Sequence, residues 1–171
     1  MKVPARSKKF IRNYTDEIRK ILNFSIDEKL DVIKILELVI IPCFNLNLEI
    51  VEKSEMPDKY AEYEPLNKII RIREDTYENA LKGKGRDRFT IVHEIGHIFL
   101  HSNKVSMARS SDSIPIYCDP EWQANTFARE FLCPLKGVSD NDGVELLAEK
   151  YGISKEVAKI QLSQKNKTTC Q

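Results

Sequence analysis

One five-residue stretch constrains this chain most: His93-Glu94-Ile95-Gly96-His97, an H-E-x-x-H pattern inside the apolar run from Phe89 to Leu100. A helix over this run puts His93 and His97 one turn apart on the same face. Two imidazoles so placed can hold one metal ion. Glu94 reaches the same side without having to be a ligand, and can hold and deprotonate a water beside that ion. The competing reading is a core helix whose histidines are satisfied by hydrogen bonds. Two histidines at i, i+4 with a glutamate between them, in a chain with 3 histidines in all, favour the metal. Gly96 costs such a helix roughly 1 kcal/mol against alanine. Its use would be to let another backbone pass close to the metal face.

The third histidine, His101, lies two turns beyond His93, roughly 11–12 Å along the axis. That is too far to share the ion, so His101 reads as structural or as lining a cleft. A third ligand must come from elsewhere. The stretch from Asn103 to Ile116 is polar and serine-rich and reads as a mobile loop. After it, Asp119 is a natural N-cap, Pro120 a natural first helical residue, and Pro134 a stop. Ala124, Phe127, Ala128, Phe131 and Leu132 make the buried face of this helix, and the two alanines permit close approach to another helix. Glu121 and Asn125 share one side at i, i+4. Glu121 is placed to be the third ligand, with Asn125 behind it orienting a histidine. Glu130 competes for the ligand role but is rotated off the Glu121 face. The plainer role for Glu121 is a first-turn acid at the helix dipole.

The rest of the chain supplies a frame. From Tyr14 to Ile41 it reads as helical in two pieces, with start signals at Thr15-Asp16-Glu17 and at Ser25 with Glu28. Pro42 is expected to end the dense apolar run before it. Asn47–Lys53 and Leu66–Arg73 read as strands, the second with Ile70 and Ile72 on one face and Arg71 and Arg73 on the other. Ser54–Pro65 between them reads as a loop or a poorly paired strand. A short antiparallel sheet beside the metal helix would offer an edge to an extended peptide. Asp75–Lys82 reads as a short helical turn, and the metal helix as Arg86 to His101. Val144–Gly152 reads as a helix closed by glycine, and Ser154 caps another from Lys155 to about Leu162. The spacing around Gly152 hints at helix-turn-helix, but the apolar offsets that follow do not fit it, so a helical pair packed on the core is expected. The expected fold is α+β and mainly helical, divided as 1–137 with the metal site and 138–171 with the helical pair.

Composition narrows the setting. With 171 residues, 42% hydrophobic and 31% charged, the chain is an ordinary globular one. A net charge of +1 gives no general drive towards nucleic acid or membrane. The basic start (Lys2, Arg6, Lys8, Lys9, Arg12) lacks the apolar core of a secretory signal and reads as a solvated tail. No apolar stretch reaches the length of a membrane span. Cys43, Cys118, Cys133 and Cys170 are scattered, without C-x-x-C, and read as reduced thiols of a cytoplasmic protein.

From Leu66 to Pro134 the chain resembles the ImmA/IrrE family of metallopeptidases. The resemblance rests on Ile69-Ile70-Arg71-Ile72, on Arg88–His101 with its H-E-x-x-H, and on Glu121-Trp122-Gln123-Ala124-Asn125-Thr126-Phe127-Ala128 closing with Leu132-Cys133-Pro134. Cys133 stands where the family more often has Met, an apolar exchange. The resemblance implies a minimal zincin-like domain with zinc on His93, His97 and Glu121, and Glu94 as catalytic base. It also implies a protein substrate: a helix-turn-helix repressor that is cleaved or otherwise inactivated, in a mobile element or a stress response. Two other functions compete with this one. One is a metal-containing module that sequesters a repressor without cutting it. The other is a DNA-binding regulator using the C-terminal helices. Tyr117 and His101 are the candidates to line the cleft and assist at the developing oxyanion.

Overall fold

The computed structural model describes residues 3–101 and 115–169. The serine-rich stretch from 103 to 114, read above as a loop, lies outside the described residues, as does Cys170. Helix α1, Lys8–Ile21, begins earlier than its internal Thr15-Asp16-Glu17 suggested, because Ser7 supplies the cap and accepts from the Phe10 amide at 3.1 Å. Ser25 and Glu28 form a turn and no helix. The Glu28 carboxylate accepts from the Ser25 amide at 3.1 Å, and the next helix waits for Asp31, whose side chain caps α2, Val32–Ile35.

Pro42 does not end the run. A π-helical segment, Leu36–Ile40, links α2 to α3, Ile41–Phe44. The Ile41 amide reaches back to Leu36 O, and this wider turn brings in Pro42 at the start of α3, where it has no N–H to place. The helix stops at Asn45, which takes the left-handed conformation at φ 51°.

Three strands follow: β1 Asn47–Val51, β2 Ala61–Glu64 and β3 Ile69–Arg73, in the order β1-β3-β2. The sheet is mixed, not purely antiparallel: β1 runs parallel to β3, with Ile50 opposite Ile72, and β2 runs antiparallel to it, with Tyr63 opposite Ile70. The physical reason is in the central strand. Ile70 and Ile72 are fully buried, so β3 needs a partner on each side, and the Ser54–Pro65 segment supplies one of them as a paired edge strand. Arg71 ties the three strands together, bonding Glu49 on β1 at 2.6 Å and also Glu64 on β2.

Helix α4, Glu74–Leu81, leads through Gly83 (φ +80°) to α5, Gly85–His101. Helix α6, Pro120–Leu132, packs along α5, and β2 lies beside α5 on another side. Asp119 caps α6 at the Glu121 amide, 3.0 Å away. All five residues assigned to the buried face of α6 are buried. Helices α7, Val144–Tyr151, and α8, Lys155–Thr169, are joined at Gly152, whose φ of 60° closes α7. Buried Leu147, Tyr151, Val157 and Ala158 join the same apolar cluster as Ile91, Ile95 and Phe131. Gln161, a polar residue on the inner face of α8, is buried and donates to Cys133 O at 2.6 Å. Among the described residues no helix is long and apolar enough to cross a membrane.

Candidate metal centre

The site lies between α5, α6 and β2. Helical spacing on α5 brings His93 Nε2 and His97 Nε2 to 3.0 Å. Across the helix pair, Glu121 Oε2 lies 3.2 Å from His93 Nε2 and Glu121 Oε1 lies 3.4 Å from His97 Nε2. Gly96 makes this approach possible. A Cβ there would sit 3.3 Å from both Cα and O of Ala124, so α6 passes directly over the glycine. Asn125 Oδ1 stands 3.1 Å from His93 Nδ1. An acceptor at that nitrogen places the His93 proton on Nδ1 and turns the Nε2 lone pair inward.

Two imidazole nitrogens and a carboxylate therefore converge with no donor of their own among them. Such a set suits a cation, with Glu121 reaching it from the exposed side. Donors on a tetrahedral zinc at about 2.0–2.1 Å stand roughly 3.3 Å apart, close to the three separations above. The residues present fit zinc. Burial first, then the neighbouring His93 and His101, push the His97 imidazole down to about 3, which keeps that ring neutral near pH 7.

Glu94 is set apart from the donors. It is 9% exposed, and its Oε2 accepts the Tyr63 backbone N–H at 2.8 Å. Burial raises its carboxyl to about 7, against the lowering effect of that hydrogen bond. The register explains why Tyr63 offers its amide. Tyr60 O accepts from Arg73 N at 3.0 Å, so alternation along β2 turns the main-chain groups of Ala61 and Tyr63 away from β3 and towards the site. A cleft of about 700 Å³ opens here, bounded by β2, by Leu66, by the two histidines with Glu94, and by Pro120 and Glu121.

The other nominated residues fall as follows. Glu130 is buried and paired with Arg12 at 3.0 Å, which takes it out of competition for the ion. His101 borders the cleft and lies outside the three-residue donor cluster. Its Nδ1 is 3.1 Å from His97 Nδ1 and its Nε2 is 3.0 Å from Gln123 Oε1. Tyr117 does not face the cleft: its half-exposed ring lines a separate hollow with Arg6, Phe10 and Trp122. The short 3-10 turn Ile116–Cys118 that carries it ends at the α6 cap and directs its backbone, not its phenol, inward. Two participants were missed from sequence. Tyr63 acts through its amide, which no side-chain pattern reports. Gln123 had a signal: it lies four residues before Phe127 on the buried stripe of α6, where a polar residue requires a partner.

A small mixed sheet with an H-E-x-x-H helix, and a glutamate delivered from a second helix, defines a metallopeptidase-like α+β domain. The chain belongs to the peptidase family M78, the IrrE N-terminal-like domain, whose model matches residues 45–163. No curated protein matches the chain.

Proposed function

We propose that the protein is a zinc-dependent endopeptidase, held on His93, His97 and Glu121, that cleaves a helix-turn-helix repressor in the cytoplasm and so acts as an antirepressor. The observation that carries the peptidase reading is the pairing of the convergent His93, His97 and Glu121 with a separate buried carboxyl, Glu94, on the same cleft. Zinc, when bound, supplies the Lewis acidity that polarises the scissile carbonyl and eases ionisation of the attacking water. Glu94 takes the proton of that water and delivers it to the leaving amine, a task suited to a group titrating near the working pH. The outward main-chain N–H and C=O of Ala61 and the carbonyl of Tyr63, whose amide is taken by Glu94, are groups that an extended peptide backbone can pair with. The repressor as substrate rests on the family and not on the geometry. Glu94→Gln tests the chemistry. The variant should keep its metal and lose cleavage of a repressor encoded beside this chain, read by intact mass. Cleavage at the parental rate by Glu94→Gln overturns the role of Glu94. An intact repressor bound by the fully metallated parent favours sequestration without cutting.

A further inference from the structure

The buried contacts of His101 form a chain whose direction is fixed. Gln123, 1% exposed, directs its Nε2 at two backbone carbonyls, Pro4 O at 2.9 Å and Tyr117 O at 2.8 Å. Carbonyls only accept, so the amide nitrogen must lie on that side and Oε1 must face His101. His101 Nε2, 3.0 Å from Oε1, then carries the ring proton and donates it to that oxygen. Its Nδ1 is left with a lone pair, 3.1 Å from His97 Nδ1. His97 must therefore carry its own proton on Nδ1, and its Nε2 lone pair is turned towards His93 and Glu121. Both ring nitrogens of His101, the Nδ1 of His97 and the Gln123 amide are satisfied in this direction, and reversal would set two acceptors against each other between His101 and Gln123.

The segment before α1 is the fixed end of this chain. Val3 N donates to Cys118 O at 3.1 Å and Arg6 N to Tyr117 O at 2.9 Å, which hold Pro4 over Gln123. We propose that this strap, acting through Gln123 and His101, sets the tautomer of His97 and so presents its Nε2 to the metal before any metal arrives. His101 and Gln123 are positioning residues. His93 is served separately by Asn125, so the two ligands are oriented by different groups, one of them tied to a segment remote in sequence. The inference rests on the metal-centre reading above, but its primary test requires neither zinc nor peptidase activity.

Long-range ¹H–¹⁵N correlation of histidine side chains in the metal-free full chain reads the tautomers directly. The expected result is His97 with its proton on Nδ1 and His101 with its proton on Nε2. His97 protonated on Nε2, or His101 on Nδ1, overturns the proposal without any variant. Gln123→Met and His101→Phe remove the chain at two points while keeping bulk. Each should shift His97 towards the Nε2-protonated form and weaken zinc binding about 10- to 100-fold. Parental tautomers and parental zinc affinity in a folded variant overturn it. A peptidase assay that fails on the zinc-loaded parent, with the tautomers as expected, refutes the proposed activity and leaves this inference standing.

Discussion

Gly96→Ala tests whether close helix contact, beyond the ligands themselves, makes the metal centre. The added methyl would lie 3.2 Å from Phe127 Cδ1 and 3.3 Å from Ala124 Cα and O. Unstrained carbon contacts are nearer 3.5–4.0 Å, so α5 and α6 must part by roughly 0.3–0.5 Å. The Phe127 ring can swing, but Ala124 Cα and O are backbone and move only with α6. Two effects then oppose each other. Alanine favours the helix over glycine by about 1 kcal/mol, and overpacking costs about 1–3 kcal/mol. The net loss is about 0–2 kcal/mol, which lowers the midpoint of thermal unfolding by roughly 0–8 °C for a chain of this size. The site is less tolerant. Ala124 lies between Glu121 and Asn125 on α6, so the same displacement draws a ligand and the residue orienting another ligand away from His93 and His97 together. Zinc affinity should fall about tenfold or more, measured by competition with a chromophoric chelator, while calorimetry of the metal-free protein tracks the fold. Unchanged zinc affinity in Gly96→Ala would refute the claim that the approach of α6 over Gly96 sets the donor geometry.

Other outcomes follow from buried charge and exposure. Arg88, 3% exposed, donates to the carbonyls of Gly152, Leu30 and Tyr151 at 2.8, 2.8 and 3.1 Å. Arg88→Met leaves three buried acceptors without that donor and should cost roughly 3–5 kcal/mol, read as a lower urea midpoint at unchanged slope; a midpoint within error of the parent would be inconsistent with this. Glu94 should make the metal-free protein lose stability as pH rises. Its folded carboxyl titrates near 7, above the ordinary 4.5, so the folded form keeps a proton that the unfolded chain releases between those values. That contribution is fully present below the ordinary value and is lost as pH passes through the folded one, up to roughly 3 kcal/mol. Glu94→Gln should flatten that part of the curve, and an identical slope in the variant would dismiss the assignment. Cys43 is exposed, whereas Cys118 and Cys133 are buried, and burial raises the Cys133 thiol to about 12. Under native conditions, maleimide should label Cys43 and leave Cys133 intact, by peptide mass; rapid labelling of Cys133 would contradict its burial.

What the sequence made legible follows from the range of the interactions involved. His93, Glu94 and His97 share one helix, and Glu121 and Asn125 share another, so helical spacing alone places each set on its own face. The Asp119 cap and Pro134 stop fix where the second helix begins and ends, and small residues at 96, 124 and 128 mark where the two can touch. Each of these signals is local. The sheet is harder to read, because parallel pairing of β1 with β3 depends on which strand takes the buried centre, and β1 and β3 pack on α4 while β2 packs on α5. The start of α1 was misplaced for a similar reason. Two plausible caps compete along one chain, and the outcome depends on Arg12 reaching Glu130 and Arg19 reaching Phe131 O, 118 and 112 residues away. The least legible parts are those that act through main chain. The Tyr63 amide on Glu94 and the Pro4 and Tyr117 carbonyls on Gln123 carry no residue signature at all. Yet they decide whether the carboxyl is held and which way a ligand's proton points. In this chain the side chains proposed to bind are legible from helical spacing, and the groups that aim them include backbone that the fold brings past.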